Sequence, residues 1–175
     1  MDVPAAPRRG PSGLRIIKAG RVEFSKNGYA GTSLAVIAEA AGLRKPSIFA
    51  HFATKDALYV AVLEDCLRDL MAMFAAAESE GSTPESMVAA IEQACAEDNF
   101  AGARVLIREL FDERAPTVNV RGRFQVVLTS MCKRWPSMDP HLAMSFIGMH
   151  MFHCGTSAEL PQTSALRARM FAPSA

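Results

Sequence analysis

The sequence predicts an all-α chain, and three observations carry that expectation. Apolar residues recur at three- and four-residue steps through most of the 175 residues, and no stretch alternates with period two. Pro4, Pro7 and Pro11 lie in an N-terminal arm, while Pro84, Pro116, Pro136, Pro140, Pro161 and Pro173 fall between the periodic segments, where a helix tolerates them. The chain is 50% hydrophobic and 21% charged, the balance of a folded protein of this length with one large domain or a small one joined to a medium one.

The elements follow in order. A first helix runs from about Ser12 to Lys26 with Ile16, Ile17, Ala19 and Phe24 inward, and Gly28 and Gly31 end it. Thr32 or Ser33 caps a short second helix whose apolar residues are Leu34, Ile37, Ala38 and Ala41, and Gly42 stops it. The stretch AAGLRKPSIFAHF (40–52) then turns into a third short helix opened by Arg44, Lys45 and Pro46, with Ile48 and Phe52 on one side. Thr54 caps a long fourth helix reaching about Glu78, with Asp56 in the first turn where the dipole favours an acid. Leu58, Val62, Cys66, Leu70, Met73 and Ala77 make one continuous stripe along it. At a rise of about 1.5 Å per residue this helix spans roughly 35 Å, enough to connect two domains.

Helices near 84–97, 99–114, 117–135 and 139–155 follow. The one from Asp139 to Gly155 is apolar on every side, which predicts burial all round, one side against a second subunit. With the stripe of the helix before it, this makes Val127, Trp135, Phe146, Ile147, His150 and Met151 candidates for a homodimer interface. The expected organisation is an arm over 1–12, a helix-turn-helix domain over 13–57, a helical regulatory and dimerisation domain over 58–160, and a tail over 161–175.

Charge separates these parts. Formal net charge is +1, but residues 1–57 hold nine Lys or Arg against four acids, and the remainder ten against fourteen. A basic first third on an acidic remainder predicts that the first third meets a polyanion. The second helix, the turn at Gly42 and the third helix have helix-turn-helix dimensions. Ile37, Ala38, Leu43, Ile48 and Phe52 would lock that unit, leaving Arg44, Lys45, Ser47, Phe49, Ala50 and His51 partly outside. Cations at a helix start oppose its dipole by a few tenths of a kcal/mol, about the size of a weak contact, an arrangement that makes sense where phosphates or guanine edges are expected.

The segment from about Arg15 to Val62 resembles the DNA-binding domain of the TetR family of transcriptional regulators. The resemblance is carried by EFSKNGYAGTS, AVIAEAAG, FAHF and TKDALYVAVL in register. It implies that Arg44, Lys45, Ser47, Phe49 and Ala50 face the DNA groove. It further implies that Tyr29, Thr32, Ser33 and Lys55 touch phosphates, and that His51 either does so or supports the structure. The sequence departs from the family pattern in having Arg44 where a small capping residue is common, Pro46 for a glycine and Phe49-Ala50 for a tyrosine pair. Arg44 thereby becomes the candidate for a bidentate guanine contact. By analogy the later helices dimerise and enclose a pocket for a small apolar or amphipathic effector. Met71, Phe74, Cys95, Arg104, Phe111, Phe124 and Met131 are candidates to line it, with plain core packing as the competing role for each.

The expected partners are therefore a double-stranded DNA operator, a second copy of the chain and the effector, and the expected function is that of a repressor. Neither cofactor nor catalysis is expected: there is no GxSxG, HExxH or phosphate-binding glycine loop. His150, His153 and Cys154 in HMFHC have metal-ligand spacing but need further ligands, and no metal is expected. Cys66, Cys95, Cys132 and Cys154 form no CxxC, which fits thiols in a reducing cytoplasm, with redox sensing as a variant. The longest apolar run, Leu142 to Phe152, is too short for a bilayer, and no apolar leader opens the chain. One reading of another class stays open: a helical protein-interaction module that applies its basic N-terminal face to an acidic partner.

Overall fold

The computed structural model describes residues 10–77, 83, 86, 89, 93, 101–111 and 118–135, and at positions 73, 74, 76, 77, 111, 127, 128 and 131 it describes the backbone alone. The described helices are α1 (Pro11–Gly31), α2 (Leu34–Ala40), α3 (Lys45–Phe49), α4 (Lys55–Ala77), α5 (Ala101–Phe111) and α6 (Val120–Arg134). No strand occurs among the described residues. Of the helix expected over 84–97, Ser86, Ala89 and Gln93 are described, and all three are helical; the helix expected over 139–155 lies outside the described residues.

Pro11 opens α1 in its first turn, where the missing amide would have had no partner. Gly28 interrupts the helix at φ 69°, so the expected end is there, but the chain resumes a helical turn as far as Gly31. Ile16, Ile17, Gly20 and Phe24 form the buried face. That face packs on α4, and it does so closely: a Cβ at Gly20 would stand 3.0 Å from Val62 Cγ2.

The α4 helix departs from its expected pattern. Leu58, Val62, Cys66 and Leu70 are buried, as the single stripe predicts, but so are Tyr59, Ala61, Leu63 and Leu67. The second row exists because α4 is packed from more than one direction, by α1 and by both α5 and α6. The α5 helix contributes Ala103, Val105 and Leu106, and α6 contributes Val120 and Phe124. All of these belong to one apolar cluster that begins at Ile16. The first three helices and the described helices of the second half thus share a core rather than meeting across a wet seam. With buried aliphatic side chains stabilising by roughly 1.5–3 kcal/mol each, moving α5 relative to α1 exposes surface that is expensive to wet.

Polar contacts reinforce the same junction. Arg21 on α1 reaches Asp69 at 2.5 Å and Asp65 at 3.4 Å on α4, and Arg68 also pairs with Asp65. Arg108 on α5 donates to the Lys26 carbonyl at 3.4 Å, beside the break at Gly28. A cation at carbonyls where a helix breaks is favourable, because those oxygens lack intrahelical donors.

Candidate nucleic-acid interface

Local chemistry explains why the chain from 33 to 52 makes a helix, a sharp turn and a second helix. Ser33 is the N-cap of α2, its Oγ accepting from the Val36 amide at 3.3 Å. At the other end Gly42 takes φ 67°, its amide donates to Glu39 O at 2.9 Å, and the Leu43 amide donates to Ala38 O at 2.8 Å. These two bonds are a Schellman closure, and Leu43 packs on the same apolar cluster as Ala38, as that motif requires. A β-carbon at Gly42 would be strained by roughly 1–2 kcal/mol in this left-handed conformation.

Arg44 then stands extended at the N-cap of α3, and Pro46 fits the first turn. Ile48 is wholly buried and Phe52 is 5% exposed, and the Phe52 amide donates to Ile48 O at 2.8 Å. These two side chains are the anchors. Arg44, Lys45, Pro46, Ser47, Phe49, Ala50 and His51 are all exposed, the arrangement the sequence predicts. Among the described residues the side chains of Arg44 and Lys45 have neither an ion pair nor a hydrogen bond.

Behind α3 the structure gathers Tyr29, Thr32 and Lys55 into a corner. Thr32 is 3% exposed, with Oγ1 2.7 Å from Gly28 O and 3.3 Å from Glu23 O, so its hydroxyl is turned into the protein. The cause is the break at Gly28, which leaves carbonyls without helical donors just where the Thr32 side chain arrives. Ser33, the alternative cap, stays exposed. Lys55 is half-buried, its Nζ donating to Tyr29 O at 2.9 Å and Thr32 O at 3.1 Å and lying 4.3 Å from the centre of the Tyr29 ring. The Tyr29 hydroxyl donates to Asp56 Oδ1, and its ring packs against Tyr59 with centroids 4.9 Å apart. Tyr29 and Lys55 are thus tied to the scaffold through most of their polar groups. Thr54 Oγ1, accepting from the Ala57 amide at 3.0 Å, caps α4 as expected.

Of the candidates farther along the chain, the side chains of Met71, Arg104, Phe124 and Trp135 are described. Met71 is half-buried against the core, Arg104 is half-buried on α5, and Phe124 lies in the core at 8% exposure. Trp135, expected at a subunit interface, is half-buried against this chain's own core. Cys95, Phe146, Ile147, His150 and Met151 lie outside the described residues, as do HMFHC and the side chains of Phe74, Phe111, Val127 and Met131. A groove that does occur among the described residues runs along α6, lined by Gly122, Gln125, Val126, Thr129, Ser130 and Lys133, and shares none of the expected pocket residues. Sequence reasoning missed the Arg21–Asp65–Asp69 group. Its signal was present: two acids four apart on the fourth helix, and a cation one turn beyond Ile17 on the first.

Fold and site together define a class: a helix-turn-helix head, its short second helix carrying unpaired cations, built onto an all-helical body. Residues 16–62 match the family described as bacterial regulatory proteins, tetR family. The HTH-type transcriptional regulator RutR of Escherichia coli (strain K12) is 44% identical over 52 residues, 30% of this chain and 24% of that protein, and RutR of Shigella flexneri gives the same figures. The chain therefore spans about a quarter of the length of the curated relatives it matches. Likeness of fold extends further. A transcriptional regulator (TerR/AcrR family) from Aquifex aeolicus VF5 superposes with a TM-score of 0.67 at 20% identity, covering 90% of this chain and 96% of that one. AibR, solved in complex with isovaleryl coenzyme A and operator DNA, gives 0.63 at 18% identity, covering 93% of this chain and 100% of that one.

Proposed function

We propose that this chain is a sequence-specific DNA-binding transcriptional regulator, acting as a homodimer on a double-stranded operator. It is a repressor, released when a small apolar or amphipathic effector binds among the C-terminal helices. The observation that carries the reading is the division within residues 44–52, α3 and its two flanks. Ile48 and Phe52 are sealed into the core, while Arg44, Lys45, Ser47 and Phe49 stand exposed on a part of the chain with a marked excess of cations. Exposed, unpaired cations on a rigidly anchored helix are suited to a polyanion with a groove of helix width. In a twofold dimer two such helices would enter successive major grooves, with half-site centres about 34–36 Å apart.

Release follows from the shared core. Because α5 packs on both α1 and α4, an effector that favours a shifted body would also favour a different spacing of the two heads. This is a population shift and requires different effector affinity in the two states. AibR, with isovaleryl coenzyme A and operator DNA in one complex, supports a fold of this kind holding both types of partner. The reading is of a regulator and not of an enzyme. Footprinting the full chain on the DNA upstream of its own gene tests it: a protected, twofold-symmetric site is expected. Absence of any duplex affinity at low salt would contradict it and favour an acidic protein partner instead.

A further inference from the structure

The face that α3 turns outward is apolar where hydrogen-bonding side chains would be the obvious tools for reading bases. Counting at 100° per residue from the buried Ile48, the opposite side of the helix carries Pro46 and Ala50, flanked by Ser47 and Phe49. All four are exposed, and Phe49 is 48% exposed. Ser47 supplies the one polar side chain among them. The Phe49 ring is open to water beside Pro46 and Ala50, and it has no hydroxyl with which to hold a phosphate. Its partner must also tolerate Arg44 and Lys45 at the rim, which selects an anionic surface that carries apolar points. In the major groove the apolar feature of the base edges is the thymine C5-methyl group, and Phe and Ala side chains are matched to it.

We infer that α3 reads thymine methyl groups through Phe49 and Ala50, so that the operator half-site places thymine under the middle of the helix and guanine toward its Arg44 end. This deepens the DNA-binding reading above and rests on it. The specificity of the site then comes mainly from shape and methyl contact, with Arg44 alone supplying a bidentate hydrogen-bonded readout.

The test begins by selecting duplexes from a random pool with the full chain. The enriched duplex is then resynthesised with deoxyuridine in place of one thymidine at a time, which removes a methyl and leaves the hydrogen-bonding edge intact. At one position in each half-site the Kd should rise about four-fold, the equivalent of roughly 0.8 kcal/mol for one buried carbon. Phe49→Ala should abolish that sensitivity, whereas Arg44→Ala should bind more weakly and keep it. If deoxyuridine is without effect at every position, or its effect persists unchanged in Phe49→Ala, the inference is overturned while the DNA-binding reading stands. If no duplex is enriched, the DNA-binding reading itself fails and the exposed face is left for a protein partner.

Discussion

Two groups of residues, the α3 face and the corner behind it, were expected at the same surface, and the structure treats them differently. Arg44, Lys45, Ser47 and Phe49 are exposed, and the two cations have no partner among the described residues. Tyr29, Thr32 and Lys55 hold one another, Asp56 and the carbonyls around Gly28. One group has its polar atoms free for a ligand, and the other has spent them on positioning the turn that leads into α2. The lesson is that neighbouring residues can differ in how far the fold already occupies their polar atoms. A substitution in the first group should alter recognition and leave folding alone, whereas one in the second should alter folding first.

The largest effect expected is at the anchor that serves both groups. Phe52→Ala should destabilise the chain by about 3–5 kcal/mol, read by chemical unfolding, because it empties a buried aromatic site beneath α3. Duplex affinity should fall with it. A well-folded Phe52→Ala protein with normal affinity would mean that α3 is held by something other than its own core.

Next, Lys55→Met should cost about 1–3 kcal/mol of stability, since two carbonyls lose a charged donor. The salt dependence of duplex binding should stay where it was. If instead stability is unchanged and the salt slope drops by about 0.9, Lys55 meets a phosphate and belongs with the exposed group. Arg44→Ala should reverse the pattern: unfolding shifts by no more than about 0.5 kcal/mol, as at an exposed site. Discrimination at one base pair of each half-site should fall by roughly 1–3 kcal/mol, measured by competition with single-base variants. The smallest effect belongs to Lys45→Ala, which should flatten the salt slope by about 0.9 and weaken all sequences alike.

Much of the head could be read directly. The glycines at 28 and 42, the Thr54 cap and the alternation of anchors and exposed residues across Ile48–Phe52 each have a local chemical cause, so local sequence sufficed. What could not be read depends on distant partners. The stripe on α4 marks one buried face, but the second row, Tyr59, Ala61, Leu63 and Leu67, is buried by helices that periodicity alone does not locate. Thr32 and Ser33 are equally good caps on paper, and only the break at Gly28 decides which hydroxyl turns inward. The direction of a long side chain such as Lys55 is likewise set by the carbonyls within its reach. The proposed effector surface was read by analogy and the subunit surface from a helix apolar on every side, and most residues of both lie outside the described ones.

The most direct test of the claim that the exposed face of α3 meets duplex DNA is an equilibrium titration. The full chain is titrated with its selected duplex and with a scrambled duplex of equal length and composition, at a fixed salt concentration near physiological. Specific binding should be at least about a thousand-fold the tighter of the two. Arg44→Ala should narrow that gap without changing the unfolding curve. Equal affinity for both duplexes, in a protein that is demonstrably folded, would contradict the account.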